Sequence, residues 1–158
     1  MKQLIRNIKP VIGMVPGAVT SVVGDYVSLK DFHGCSIVIV VDNTSGTDDG
    51  AVTLLQAKTA NAGSAKALEF DEMWANLDCE TADALTKTDV VSDTFDASGV
   101  ELCTMYVIEV NADQLDVDNA FCYINVNIAT VTNGVGAIIY LMHTPRFIDD
   151  VTAHSVIA

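Results

Sequence analysis

Apolar residues recur along this chain at every second position, the period that a pleated strand imposes. From Val100 to Val110, one face carries Val100, Leu102, Thr104, Tyr106, Ile108 and Val110. Glu101, Cys103, Met105, Val107 and Glu109 occupy the other, which reads as partly buried. Phe121–Val131 repeats the pattern, with Cys122, Ile124, Val126 and Ile128 set against Asn125 and Asn127. Ser36–Val41 is apolar on both faces and predicts a central strand covered on two sides. Ala51–Ala57 and Gly136–His143 are two more strands, and Tyr26–Leu29, Ala67–Phe70 and Val90–Phe95 bring the total to about eight. Only Trp74–Thr86 is expected to form a helix, and a short one.

Turn chemistry separates these runs. Asp42–Gly50 reads as a loop, Asn61-Ala62-Gly63-Ser64 as a turn, and Asn133-Gly134 as a tight hairpin. Short strands without a βαβ rhythm predict an all-β protein, a single-domain β-sandwich of jelly-roll type. Residues 1–24 stand apart, with Lys2, Arg6 and Lys9, two prolines, three glycines and a Val-rich stretch. Proline stiffness favours extended chain there, either a strand-like edge or an arm lying on a neighbouring subunit. The expected organisation is an extended N-terminal arm over 1–24, then a β-sandwich domain over 25–158.

Composition agrees. Val, Ile and Thr total 47 residues against 31 for Leu, Glu, Lys, Arg, Met and Gln together, the balance of a sheet protein. The 158 residues suit one core, and half of them are hydrophobic, which excludes a disordered chain. The run Asn119–Pro145 has no Asp, Glu, Lys or Arg, but its asparagines and threonines alternate as in a strand, so no membrane span is expected. Pro10 and Pro16 break the apolar stretch behind the first basic residues, and no secretory signal is expected. Cys35, Cys79, Cys103 and Cys122 lie 44, 24 and 19 residues apart without a Cys-x-x-Cys pair, which points to free thiols in a reducing compartment.

Charge changes the picture more. The net charge is −13, and Glu69–Asp118, with 14 acids and Lys87 as its single base, accounts for all of it. Such a surface disfavours direct nucleic-acid binding, which needs cations to displace the counterions of phosphate. It reads as a solvated acidic face, or as one matched to a basic partner.

Candidate chemistry is sparse. His33, His143 and His154 have neither His-x-His nor His-x-x-x-His spacing, so the metal-binding form of a jelly roll lacks its cluster. Asp113, Asp116, Asp118 and Asn119, like the loop Asp42–Asp49, lack the order of an EF-hand. Ser45 and Ser98 lack the nucleophile elbow, and no phosphate-binding glycine loop is present. Glu101 or Glu109 could face an acid from Glu69–Asp83, yet 21 acids make such a pair a coincidence. Asn43-Thr44-Ser45 matches a glycosylation acceptor, without meaning inside a cell. No enzymatic activity, metal or cofactor is expected. Ten aromatic residues, with Trp74 the single tryptophan, weaken a sugar-binding platform, but a soluble lectin-like ligand-binding module remains the alternative.

The order of segments carries a resemblance. Gly24-Asp25-Tyr26-Val27-Ser28-Leu29-Lys30-Asp31-Phe32 leading into Ser36–Val41 resembles the opening of small structural proteins of tailed bacteriophages. Ala51–Lys58, Gly63–Phe70, Leu115–Phe121, Ile139–Met142 and Arg146-Phe147 continue it, similar to minor virion proteins of the capsid cement (decoration) type. The resemblance covers residues 24–147 and departs at Phe147, where tyrosine is more typical. It implies a compact β-domain, dimeric or trimeric, that binds the major capsid protein across subunit junctions and stabilises the expanded head. The implied location is the capsid surface of the virion, after synthesis in the host cytoplasm. Lys2, Arg6 and Lys9 are the candidate partner contacts, meeting acids on the shell.

Overall fold

The computed structural model describes residues 4–43, 50–97, 103–146, 151 and 155–157. Lys2, Ser45, Asp48, Asp49, Ser98, Glu101, Phe147 and His154 lie outside the described residues. The described residues form twelve strands: β1 (Ile8–Ala18), β2 (Val22–Val23), β3 (Val27–Ser28), β4 (Phe32–Asn43), β5 (Gly50–Ala57) and β6 (Lys66–Ala67), then β7 (Phe70–Asn76), β8 (Thr86–Ser92), β9 (Thr94–Ala97), β10 (Cys103–Asn111), β11 (Tyr123–Ile128) and β12 (Gly134–Pro145). Short 3-10 turns are the only helical elements among the described residues, and none is long and apolar enough to cross a membrane.

Two antiparallel sheets face one another. The first runs β1-β12-β4-β10-β7-β8; the second runs β2-β11-β5-β6, with β3 on β11 and β9 on β5. Setting aside the β7–β8 hairpin, this is the interleaved order of a jelly roll: the chain alternates between sheets, and β12 inserts between β1 and β4. The long alternating runs are strands as predicted, whereas Ala67–Phe70 spans the junction of β6 with β7 and Val90–Phe95 divides between β8 and β9, in different sheets. The inward residues of the strands close the core, with Ile37, Ile39, Tyr106, Ile108, Ile138 and Tyr140 from one sheet meeting Leu54, Ile124, Val126 and Ile128 from the other.

Three expectations need correction. Ile8–Ala18 is an edge strand paired to β12 from Ile8↔His143 to Ala18↔Val135, and Val11, Met14 and Val19 enter the core. The edge-strand reading therefore holds for these residues, and no arm separates from a domain beginning at residue 25. An edge tolerates Pro10 and Pro16 because one side of the strand needs no ladder donors. Trp74–Thr86 is not a helix. Met73 and Ala75 are buried while Trp74 faces the opposite way, so the period is two until Asn76. Beyond it, Asp78 caps a single turn, accepting from the Thr81 amide, and that turn does not propagate. Asn133-Gly134 is a turn, with the Gly134 amide donating to the Val131 carbonyl at 2.9 Å, but it passes the chain from one sheet to the other. Turn chemistry is local and does not reveal which sheet receives the next strand.

Candidate interaction surface

The outer face of the six-stranded sheet is apolar at its centre. Ile12, Ile139, Val38, Val107, Trp74 and Lys87 are successive register partners from β1 to β8, and no charge appears before Lys87. A second row runs Ala137, Val40, Met105 and Asn76, and a third Pro10, Leu141, Ser36 and Glu109. These side chains alternate with the core residues of their strands, so they leave the core side by geometry. Ile12 is 47% exposed; Val38, Val40, Met105, Val107, Ile139 and Leu141 are half-buried. Charges form a rim: Lys87 pairs with Glu72, and His143 Nε2 lies 3.4 Å from Glu109 Oε2. A Cβ on Gly34 would meet the His143 ring at 2.5 Å, so only glycine lets this imidazole lie across β4.

The two edges of this sheet differ in charge. Arg6 ends the 3-10 turn that leads into β1, and Lys9 is the second residue of that strand. The acidic segment Glu69–Asp118 supplies β7 to β10, so negative charge gathers toward the opposite edge. Neither edge invites another strand. Prolines and two register shifts interrupt β1, and β8 carries Lys87 and Asp89. The face, rather than an edge, is left for a partner.

The polar candidates are used structurally. Asp116 accepts two hydrogen bonds from Asn119 Nδ2, at 2.8 and 3.0 Å, and pairs with Lys66. The Lys66 bond, then that of Asn119, holds the Asp116 carboxyl below the usual carboxylate range. Its backbone N–H donates to Gln56 Oε1 at 2.9 Å, which ties the turn to β5. Asp113 and Asp118 sit in the first turns of two separate 3-10 segments. Among the described residues no three His, Cys, Asp or Glu side chains are grouped to hold a metal ion. His33, exposed at the start of β4, lines a shallow cavity with Asp113 and Arg146.

One cavity is apolar. It measures about 280 Å³, and Leu29, Leu115, Val117 and Phe121 line it, with Lys30 and Arg146 also in its wall. Lys66 Nζ lies 4.3 Å and Lys58 Nζ 5.1 Å from the centroid of the Phe121 ring. Phe121 is therefore a buried support for two ammonium groups, unlike the exposed aromatic face on which a sugar stacks.

The extended reading holds for Lys9, in β1, but not for Arg6, which ends a 3-10 turn, and the sequence did not reveal the apolar face. The signal was present in Ser36–Val41, where double-sided apolarity was attributed to a strand with cover on both sides. Neither a family model nor a curated protein sequence matches the chain. Among solved structures, the crystal structure of SPBc2 prophage-derived protein YomS is similar with a TM-score of 0.46 and 10% identity, over 89% of this chain and 97% of that one.

Proposed function

We propose that this chain is a non-enzymatic virion structural protein of the capsid cement type, binding across subunit junctions of an expanded tailed-phage head. The observation that carries a protein-docking role is the uncharged band from Ile12 to Trp74 across five strands. At about 4.8 Å between strands and 3.4 Å per residue, the three rows cover about 500 Å². Two such faces bury about 1,000 Å², the threshold for a specific protein interface. A homo-oligomer, dimer or trimer, joined through this face leaves the β1 edge free. Arg6 and Lys9 there, with Lys2 preceding them in sequence, meet acids of the major capsid protein. The sequence blocks of residues 24–147 support the head as the location. The acidic β7–β8 side keeps the particle exterior from adhering to DNA. The role needs no cofactor, nucleic acid or membrane.

The test is peptide mass spectrometry on density-gradient-purified particles, quantified against the major shell protein. A fixed ratio of many copies per particle is the expected result. A few copies per particle would move the role to the portal or tail, and complete absence would refute it.

A further inference from the structure

We infer that Cys79 and Cys103 form a disulfide site, open in the reduced chain and closed by a thiol oxidant. Both thiols are free and half-buried, in contrast to Cys35, which is sealed in the core. The Cys79 amide donates to the Cys103 carbonyl at 2.8 Å. Residues joined by such a bond in an antiparallel pair have Cα atoms about 5.5 Å apart, inside the 4.4–6.8 Å that disulfides span. The Cys79 thiol turns toward the Asn76 carbonyl oxygen, 3.8 Å from its Sγ, and Cys79 is near enough to perturb the Cys103 thiol.

The approach is built by the fold. Asn76 pairs with Met105 across β7 and β10, and Cys103, two residues before Met105, points to the same outer face. After Asn76 the chain turns back over that face. Asn76 fixes the turn from below, accepting from the Asp78 amide at 2.9 Å and donating to the Ala82 carbonyl at 2.8 Å. Cys79 is thereby held over Cys103. Burial, then the neighbouring Cys79, Asp42 and Glu80, pushes the Cys103 thiol up, which keeps that thiol protonated and slow to react at neutral pH.

With glutathione disulfide as oxidant, one cysteine gives its proton to solvent and its thiolate attacks a glutathione sulfur, forming a mixed disulfide and releasing one glutathione thiolate. The second cysteine, deprotonated in turn, attacks the protein sulfur of that bond and releases the second glutathione. Two protein thiols are oxidised, one glutathione disulfide is reduced to two glutathiones, and the two protons end on the released thiolates. The bridge joins positions 24 residues apart and fastens the β7–β8 hairpin to β10. This inference stands independently of the cement role.

The experiment equilibrates the full chain with glutathione disulfide at pH 8, then denatures, alkylates and maps the peptides. The four thiols are expected to fall to two, with a peptide pair linked through Cys79 and Cys103. Tm is expected to rise by roughly 5–10 °C and to return with dithiothreitol. Cys79→Ser and Cys103→Ser each abolish the gain, while Cys122→Ser retains it. Four unchanged thiols, glutathione persisting on Cys79 or Cys103, or a link to Cys122 or to a second chain would each overturn the assignment.

Discussion

Tyr140→Phe tests how the two sheets are joined. Tyr140 is fully buried in β12, and its hydroxyl accepts a hydrogen bond from the Val126 backbone N–H of β11, in the other sheet, at 3.1 Å. That amide needs a side-chain partner because β2 pairs with β11 at Asn127 and Ile128, β3 at Tyr123 and Ile124, and neither at Val126. The Val126 carbonyl is satisfied by the Gly24 amide at 3.0 Å. Phenylalanine keeps the ring but strands a buried donor, at a cost of about 1–3 kcal/mol, or a fall in Tm of roughly 2–10 °C for a chain of this size. The pH dependence gives a second signature. Burial above all holds the Tyr140 phenol well above its ordinary value. In the unfolded chain it ionises near 10, so its contribution is complete below pH 10 and is lost as the pH rises further, by up to about 1.4 kcal/mol per pH unit. The Tyr140→Phe variant has no such loss, and the two stability curves converge in alkali. Urea unfolding at pH 7, 9, 10 and 11 measures both effects. A difference under about 0.5 kcal/mol at pH 7, below the range for a stranded donor, or parallel curves from pH 9 to 11, would refute the reasoning.

Gly13→Ala would put a Cβ 2.3 Å from Tyr140 Cε2, so the ring or β1 must shift. A loss of about 1–3 kcal/mol, read by urea unfolding, is expected from such overpacking. Asp116→Asn should flatten the acid limb of stability. The lowered Asp116 pKa gives a contribution present above the ordinary carboxylate value near 4 and lost as pH falls through the folded value; urea midpoints from pH 5 to pH 2 measure it. Val107→Lys, on the half-exposed outer face, should change stability by less than about 1 kcal/mol by calorimetry, yet abolish self-association in sedimentation, whereas Val117→Lys, outside that face, leaves association intact.

The sheets were legible in the sequence because each strand is a local alternation. β10 and β11 show it plainly, down to Asn125 and Asn127 set opposite the core residues. What was not legible depends on pairing at a distance. β1 reads as an arm until β12, more than a hundred residues later, supplies the ladder that makes Pro10 and Pro16 edge residues. Trp74 looks helical beside Met73 and Ala75 until β10 pairs with β7 and fixes period two. The candidate surface is legible only in part for the same reason. Val38, Val107 and Ile139 are ordinary strand residues alone and become one band only through register. The meeting of Cys79 with Cys103 likewise follows from a turn that folds back over its own sheet.

The pairing of β1 with β12 also has a consequence for how the chain acquires its structure. Val11 must find Tyr140, across 129 positions, before the six-stranded sheet is continuous. Contacts of such separation slow folding, since the loop-closure entropy is lost before the ladder forms. During synthesis β1 has no partner until β12 has emerged, and one edge of β4 stays open for as long. A chain cut before Gly134 lacks the strand between β1 and β4, so it is left with two unpaired edges in what should be the middle of a sheet. Docking of β12 is therefore the event that commits the sheet to its native state.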